Sequence, residues 1–314
     1  MNGGSRPTVS VIIPVTERFD DVRELYFRYR DALRESGLDF EITYVLDGRY
    51  PDVLEALKGL LRDGERLRAV TLSRPFGEAT AIMVGFNHSS GDLILTLPAY
   101  EQIEPSGIPR LLEGLREQDL VAARRWPRID SRFNQFQAAG FHFLLNRITG
   151  LHFHDMGCGA RAFKRRVLEE ITLYGDQHRF FPVLAFHQGF RVSEIDVPQS
   201  PRDAHQRLYG FGVYLRRLLD MLSVFFLTKF TKKPLRFFGL LGSGVFALGA
   251  VLIVYLVVQR LVGDVPLSDR PLLLLASLLV VLGIQIFAIG LVGEIIIFSH
   301  AKDIKDYTID EIIG

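Results

Sequence analysis

Charged side chains that could bind an anionic or hydroxyl-bearing ligand follow several short apolar runs of the chain. Asp47 ends one such run, where its carboxylate can accept hydrogen bonds from a ligand or cap a loop of its own chain. Arg125 follows another run and lies near Arg124 and Arg128. Its guanidinium could bind a phosphate, or the three arginines could form a solvated basic face. The residues alone leave both pairs of alternatives open.

Metal and thiol chemistry have little support in the residue types. The single cysteine, Cys158, excludes a disulfide framework and any multi-cysteine metal site, and packing is its expected role. The eight histidines are scattered, and His152 and His154 beside Asp155 form only a weak zinc pattern. Lys+Arg number 37 against 36 Asp+Glu, so the basic surplus of a nucleic-acid-binding protein is absent and no such partner is expected.

Strands alternate with helices over the first part of the chain and must position these residues. Apolar runs predict the strands, and the longer, more polar stretches between them predict the helices. The strands are predicted at 9–15, 41–47, 67–72, 92–97 and 119–123, and the helices at 20–36, 52–63 and 78–88. Strands that are apolar on both faces predict a mostly parallel, doubly wound α/β sheet. Such sheets bind ligands at the carboxyl ends of their strands, here 14–18, 47–50, 73–77 and 98–102.

Two uncharged apolar runs near the end of the 314-residue chain predict a pair of membrane-spanning helices. Residues 237–259 are long enough to cross a hydrocarbon core of ~30 Å, and 271–293 form a second such run. The short polar stretch 260–270 between them predicts a hairpin. A buried helix pair of a soluble domain is the alternative, but helices of soluble proteins usually keep a polar stripe that both runs lack.

Basic residues on both sides of the hairpin predict its orientation in the membrane. The flanking residues are Lys229, Lys232, Lys233 and Arg236 before the first run, and His300, Lys302 and Lys305 after the second. The positive-inside rule therefore places both termini and the main domain in the cytoplasm. We expect a ligand-binding domain at 1–210, the two helices within 235–300 and a cytoplasmic tail at 301–314. The amphipathic segment 211–234 suits a helix in the headgroup layer or, equally, a core helix.

Motifs in collinear order connect the chain with a known family. Ser-Val-Ile-Ile-Pro-Val at 10–15, Val-Leu-Asp-Gly at 45–48 and Leu-Ser-Arg-Pro-Phe-Gly at 72–77 resemble a family 2 glycosyltransferase with the nucleotide-sugar-binding GT-A fold. Asp-Met-Gly-Cys-Gly-Ala-Arg at 155–161 and the two apolar runs narrow the resemblance. With these motifs, the chain resembles the polyisoprenyl-phosphate glycosyltransferases, which include dolichol-phosphate mannose synthase, GtrB-type glucosyltransferases and the undecaprenyl-phosphate aminoarabinose transferase.

The resemblance implies transfer of a sugar from a nucleotide diphosphate to the phosphate of a membrane-embedded polyprenol at the cytoplasmic membrane. The residues that match nucleotide-binding positions are Pro14, Val15, Thr16, Asp47, Arg74 and Gly77. Those that match the phosphate-handling part of the site are Arg125, Asp155, Arg161 and Arg202. Asp155 and Arg161 could form an ion pair that shapes the pocket. His205 and Arg207 add potential positive charge near Arg202, so Arg207→Ala is expected to abolish donor binding.

The motif after the fourth strand departs most from the family. The family pattern Asp-Ala-Asp-Leu-Gln, which binds the divalent metal, aligns with Pro-Ala-Tyr-Glu-Gln at 98–102, so both metal-binding carboxylates are absent. Gln102 remains, and Glu101 or Glu104 could replace them as ligands of Mg²⁺ or Mn²⁺. Alternatively, arginine or lysine could supply the positive charge without a metal.

Two functions remain open at the level of sequence. The chain is either an active transferase or a catalytically silent relative that serves another membrane glycosyl enzyme as a binding or partner subunit. The layout and the retained charged residues favour the first, whereas Pro98 and Tyr100 favour the second. Association into a homo-oligomer through the membrane helices is also expected, because glycines there permit close helix contact. These glycines are Gly239, Gly242, Gly244 and Gly249.

Overall fold

A computed structural model describes residues 8–128, 153–173, 175–203, 234–263 and 271–300. The described residues up to 203 belong to a sheet-containing unit, and those from 234 onward belong to a helical unit. The predicted tail 301–314, the predicted amphipathic segment 211–234 except for its last residue, and both His205 and Arg207 lie outside the described residues.

The sheet-containing unit alternates strands and helices, as predicted. Its strands are β1 (Val9–Val15), β2 (Phe40–Leu46), β3 (Arg68–Thr71), β4 (Leu93–Thr96), β5 (Leu120–Arg125), β6 (Arg161–Lys164) and β7 (Val192–Val197). Its helices are α1 (Val22–Glu35), α2 (Pro51–Arg62), α3 (Glu78–Asn87), α4 (Ile108–Gly114), α5 (Arg165–Glu170) and α6 (Phe181–His187). Short 3₁₀ turns occupy Pro105–Gly107, Gly175–Phe180 and Pro201–Asp203.

Local sequence explains where these elements begin and why they form. β1 consists mainly of β-branched valine and isoleucine, and all seven of its residues are buried. Helix α1 begins after Asp21, whose carboxylate accepts hydrogen bonds from the backbone N–H groups of Arg23 and Glu24 at 2.9 Å. Helix α2 begins at Pro51, whose fixed φ suits a first helical turn.

The described strands form one seven-stranded sheet in the order β3-β2-β1-β4-β6-β5-β7. All neighbouring pairs are parallel except those of β6, which lies antiparallel between β4 and β5. The mostly parallel sheet predicted from the sequence is therefore confirmed. β3 lies at one edge of the sheet, and its first and last residues are exposed, as expected of an edge strand.

Apolar side chains cover both faces of the sheet, which makes a three-layer unit. On one face, α1, α2 and α4 pack against alternate residues of β1 such as Val11 and Ile13. On the other, α3, α5 and α6 pack around Ile12 and Ile94. Burial on both faces explains why the central strands are continuous apolar runs.

The helical unit is a hairpin of two long helices, α7 (Pro234–Gly263) and α8 (Pro271–His300). Both are longer than their predicted apolar runs, because the helices continue into flanking residues such as Arg260 and Glu294. Each is long and apolar enough to cross a membrane. Only 17% and 11% of their most apolar stretches are buried, whereas a core helix pair would be mostly buried.

Glycines let the two helices of the hairpin approach closely. A Cβ atom added to Gly242 would lie 2.6 Å from the backbone N of Phe287, and one added to Gly249 would lie 2.8 Å from the carbonyl of Ala276. Gly244 has no such neighbour within 4 Å in the described residues. The Glu294 carboxylate accepts a hydrogen bond from the backbone N–H of Leu235 at 3.3 Å, which caps the start of α7.

Candidate active site

Loops from distant parts of the sequence meet at the carboxyl ends of the parallel strands. Because β6 runs the opposite way, its first residue, Arg161, pairs with Thr96 at the end of β4. At the end of β5, Arg125 pairs with Val197 of β7, so the residues that follow β7 reach the same edge. This edge is where doubly wound sheets bind ligands.

Asp47 follows β2 and holds the loop 73–77 with its carboxylate. One oxygen accepts a hydrogen bond from the backbone N–H of Phe76 at 2.7 Å, and the other accepts from Gly77 at 2.9 Å. Gly77 has a φ of 97°, a conformation that favours glycine, and it directly precedes α3. Asp47 therefore caps a loop of its own chain, and its contact with a nucleotide stays a prediction.

The other predicted nucleotide-binding residues surround this loop. Pro14 and Val15 are buried at the end of β1, and Val15 accepts a hydrogen bond from the backbone N–H of Asp47 at 2.9 Å. Thr16 follows and is half-buried. The Arg74 guanidinium lies 4.9 Å from the ring centre of Phe76, and both side chains are exposed.

Backbone hydrogen bonds fix the loop 98–102 after β4. The single hydrogen of the Tyr29 hydroxyl is shared between the carbonyls of Pro98 at 3.1 Å and Tyr100 at 3.2 Å. The carbonyl of Ala99 accepts from the backbone N–H of Asp20 at 2.9 Å. All three carbonyl oxygens at 98–100 thus have partners within the protein.

The predicted metal ligands are also engaged by protein groups. Glu101 is 1% exposed, and its carboxylate accepts a hydrogen bond from Ser200 and pairs with Arg28, each at 2.5 Å. Glu104 lies 3.6 Å from the same guanidinium. The side-chain oxygen of Gln102 accepts a backbone hydrogen bond at 2.7 Å. No group of three His, Cys, Asp or Glu side chains suited to a metal occurs among the described residues. This set of donors does not fit a divalent ion, which requires several available oxygens.

An arginine side chain lies beside the position of the missing carboxylates. The Arg18 guanidinium carbon is 3.7 Å from the ring centre of Tyr100, which is a cation–π contact. The same guanidinium forms an ion pair with Asp203 at 3.0 Å. Gln102 donates a hydrogen bond to the Tyr100 hydroxyl at 3.2 Å. Burial raises the pKa of Tyr100 well above its ordinary value, so the phenol stays neutral.

Arg125 is the centre of a buried charge network. Its guanidinium donates two hydrogen bonds to Asp155, at 2.7 and 2.8 Å, and one to Asp203 at 2.9 Å. Burial opposes the charge of Asp155, but the hydrogen bonds and charge of Arg125 outweigh burial and lower the pKa of this carboxyl. Because Asp203 also pairs with Arg18, the network extends to Tyr100.

The predicted ion pair between Asp155 and Arg161 is wrong. Asp155 pairs with Arg125, whereas the Arg161 guanidinium donates to the backbone carbonyls of His178, Met156 and Arg179. Arg161 is 5% exposed, and burial lowers the pKa of its guanidinium. The physical reason is the position of Arg125 at the end of β5. There, both its backbone N–H and its guanidinium donate hydrogen bonds to the Asp155 carboxylate.

Two further residues considered in the sequence analysis differ in exposure to solvent. The Arg202 side chain is 44% exposed and pairs with Glu24 at 2.5 Å. Cys158 is buried, and burial raises the pKa of its thiol to about 12, which agrees with a packing role. The predicted contributions of His205 and Arg207 lie outside the described residues.

Sequence reasoning missed several residues of this edge. Arg18 lies in the expected stretch 14–18 but was given no role of its own, and Asp203 was not predicted, although it adjoins Arg202. Charged residues next to strand ends were the available signal. The contact between Glu78 and His178, at 3.2 Å, had no signal in the sequence, because it joins the start of α3 to a distant 3₁₀ turn.

Comparison with known proteins identifies two matching regions. Residues 10–172 match the family described as Glycosyl transferase family 2, and residues 233–297 match the GtrB C-terminal hairpin. The first region covers more than half of the chain.

Relatives match over nearly the whole length. The chain is 34% identical over 310 residues to the undecaprenyl-phosphate 4-deoxy-4-formamido-L-arabinose transferase of Edwardsiella ictaluri, covering 97% of this chain and 94% of the relative. It is 30% identical over 301 residues to the dodecaprenyl-phosphate galacturonate synthase of Rhizobium johnstonii, covering 94% and 89%.

Solved structures share the fold of the sheet-containing unit. Glucosyl-3-phosphoglycerate synthase from Mycobacterium tuberculosis, in complex with Mn²⁺, UDP-glucose and phosphoglyceric acid, matches with a TM-score of 0.52 at 15% identity, covering 71% of this chain and 79% of that chain. The mannosyltransferase PcManGT from Pyrobaculum calidifontis, in complex with GDP-mannose and Mn²⁺, matches with a TM-score of 0.50 at 17% identity, covering 71% and 64%. With the fold, the hairpin and the relatives in agreement, this chain belongs to glycosyl transferase family 2.

Proposed function

We propose that this protein is a membrane glycosyltransferase that moves a sugar from a nucleoside diphosphate to the phosphate of a polyprenol. One observation carries the proposal, namely the presence in one chain of a family 2 domain and an apolar helical hairpin. Relatives named as polyprenyl-phosphate sugar transferases match the chain over 94% and 97% of its length at 30% and 34% identity. A soluble donor and a lipid acceptor require both a water-facing domain and a membrane anchor.

The reaction needs charge neutralisation more than proton transfer. An oxygen of the acceptor phosphate forms a bond to the anomeric carbon of the sugar, while the bond from that carbon to the diphosphate breaks. The electron pair leaves with the nucleoside diphosphate. Because a phosphate oxygen is already anionic near neutral pH, a strong general base is unnecessary. Cationic groups at the site stabilise the two phosphate groups.

The cluster at the strand ends suits this chemistry. We assign Arg125 and Arg202 to phosphate contacts, with Asp155 as the residue that orients Arg125. Arg161 is assigned to shaping the site, since its guanidinium ties three carbonyls of neighbouring loops. The nucleotide is assigned to the loops held by Asp47, which include Thr16 and Arg74, and Gly77 permits the turn.

A cytoplasmic orientation of the family 2 domain completes the proposal. The excess of Lys and Arg outside the hairpin favours both termini on the inner side of the membrane. In this arrangement residues 1–210 bind a cytoplasmic donor, 211–234 connect them to the membrane and 301–314 lie in the cytoplasm.

Cysteine labelling tests this orientation of the family 2 domain. In a Cys158→Ala background, Ser268→Cys should react with an impermeant maleimide added to intact cells, and Arg116→Cys should not. The reverse pattern would contradict it.

Transfer itself is tested with the purified full-length chain in detergent micelles. Radiolabelled UDP-, GDP- and dTDP-hexoses are supplied with undecaprenyl phosphate, and label is measured in the extracted lipid. We expect label with one donor, and none when undecaprenol replaces the phosphate. Arg116→Met, which changes an exposed arginine outside the site, serves as the matched control and should retain activity.

A catalytically silent binding subunit is the second candidate, favoured by the uncharged Pro98 and Tyr100. Donor binding without transfer to lipid, for every donor in the panel, would support this candidate and contradict the first. Self-association of the hairpin stays a prediction. Gly239, Gly242 and Gly249 have neighbours within the hairpin, which leaves Gly244 as the position to test by cross-linking.

A further inference from the structure

The loop 98–102 and Arg18 lie against each other, and the candidate metal-binding oxygens of this loop are engaged by protein groups. The three carbonyls at 98–100 accept hydrogen bonds from Tyr29 and Asp20. The Glu101 carboxylate is buried against Arg28 and Ser200. The partly exposed group at this position is the Arg18 guanidinium, 34% exposed as a side chain and stacked on Tyr100.

We propose that the Arg18 guanidinium, held against the Tyr100 ring, binds the diphosphate of the donor in place of a divalent cation. The inference rests on the proposed function, because it assigns the cation that stabilises the departing nucleoside diphosphate. It makes Arg18 a binding residue and Tyr100 the residue that positions it.

Charge balance supports this assignment. A pair of aspartates at the end of this strand would repel a diphosphate unless a divalent cation lay between them. Proline and tyrosine remove both negative charges, and the remaining carboxylate beside Arg18, that of Asp203, is shared with the Arg125 guanidinium. A guanidinium also presents several N–H donors in a plane, which matches the oxygens of a diphosphate.

The contacts of Arg18 orient it for this role. The Tyr100 ring restrains one face of the guanidinium at 3.7 Å, and Asp203 holds one nitrogen at 3.0 Å. Asp203 is 4% exposed as a side chain and is itself fixed by Arg125 and Gln199. The Tyr100 hydroxyl accepts a hydrogen bond from Gln102 at 3.2 Å, which helps to hold the ring in place.

Calorimetry of the full-length protein with UDP, GDP and dTDP tests the assignment. We expect binding of at least one nucleotide in EDTA, with an affinity that changes less than twofold when Mg²⁺ or Mn²⁺ replaces EDTA. Arg18→Met should weaken this binding about tenfold or more, as expected for loss of a hydrogen-bonded charge. Arg18→Lys should recover part of it, and Arg116→Met should match the unmodified chain.

Variants of Tyr100 separate positioning from folding. Tyr100→Phe keeps the ring and should bind within about threefold of the unmodified chain, whereas Tyr100→Ala should approach the affinity of Arg18→Met. The double variant Pro98→Asp/Tyr100→Asp should lose binding in EDTA, and the addition of Mn²⁺ should partly restore it. Circular dichroism confirms that each variant is folded.

The outcomes distinguish a failure of the role proposed for Arg18 from a failure of the proposed transferase function. A requirement for Mn²⁺ in the unmodified chain, or unchanged affinity in Arg18→Met, would overturn the role of Arg18 while the transferase function stands. Failure to bind any of the three nucleotides under every condition, together with absence of transfer to lipid, would overturn the proposed function and this inference with it.

Discussion

Strand β5 begins and ends in a buried charge cluster, and the two clusters differ in which charge is at the centre. At the amino end, the carboxylate of Asp119 accepts hydrogen bonds from Lys164 at 3.0 Å, Arg166 at 2.6 Å and the backbone N–H of Arg191 at 3.1 Å. Asp119 is 4% exposed as a side chain, but its three cationic partners are between 28% and 60% exposed. Water therefore solvates the outer side of this cluster.

At the carboxyl end the arrangement is inverted, with a cation at the centre and buried carboxylates around it. Arg125 is 10% exposed as a side chain, and Asp155 and Asp203 are 2% and 4% exposed. Removal of the central charged group should therefore have different consequences for stability in the two clusters. Removing the central group at the amino end releases cations that can turn to water. Removing it at the carboxyl end leaves two carboxylates buried without their shared cation.

The largest effect is expected for Arg125→Met. Breaking a buried ion pair by removing one partner costs about 3 to 5 kcal/mol, because the remaining charge is left desolvated. This corresponds to a fall in melting temperature of roughly 10 °C, measured by circular dichroism on the full-length chain. Transfer activity should also fall by about 100-fold or more, since the variant removes a proposed phosphate contact.

A second substitution tests the physical reason. In the Arg125→Met background, Asp155→Asn removes one of the stranded charges and should restore part of the lost stability but none of the activity. A melting temperature for Arg125→Met within 2 °C of the unmodified chain would contradict the proposed difference between the two ends.

A smaller effect is expected for Asp119→Asn. Its partners are partly solvated, so the loss should be about 1 to 2 kcal/mol in the free energy of unfolding. Transfer activity per folded molecule should be unchanged, because this end of the sheet faces away from the strand ends that bind ligands. An activity loss comparable to that of Arg125→Met would contradict the division between a structural and a functional end.

The pH dependence of this difference follows from the pKa of Asp119. Burial opposes the charge of the carboxylate, but hydrogen bonds from Arg166, Arg191 and Lys164 outweigh burial and lower its pKa well below the ordinary value. A lowered folded-state pKa contributes stability above the unfolded value near 4, and this contribution is lost as the pH falls further. The difference in melting temperature between the unmodified chain and Asp119→Asn should therefore be larger at pH 7 than at pH 3. A gap that widens at pH 3 would contradict this.

Most of the fold was predictable because each central strand is a local apolar run. β1 was predicted at 9–15 and observed there, since β-branched residues buried on both faces form a continuous pattern. The predicted carboxyl ends of β1, β2 and β4 then located the edge with the candidate site. Strand β6 was not predicted as an antiparallel insertion, because its pairing with β4 joins residues almost seventy positions apart.

The charge partners within the site were harder to predict than its location. Arg125 and Arg161 are both candidate partners of Asp155 in the sequence, and the choice of Arg125 depends on the end of β5 and on Asp203. The stacking of Arg18 on Tyr100 likewise depends on the way that Asp20 ties the loop after β1 to the loop after β4. Such contacts arise from tertiary packing and leave no periodic signal in the sequence.

The smallest effect in the comparison is expected for Arg191→Ala. Its side chain is 60% exposed, and its Nε atom is 3.4 Å from Asp119. An exposed pair of this kind contributes about 0 to 0.5 kcal/mol, while the backbone N–H of residue 191 still donates to the carboxylate. The melting temperature should therefore change by less than about 2 °C. A loss as large as that of Asp119→Asn would mean that the exposed cations, rather than the buried carboxylate and its backbone partner, stabilise the amino end of β5.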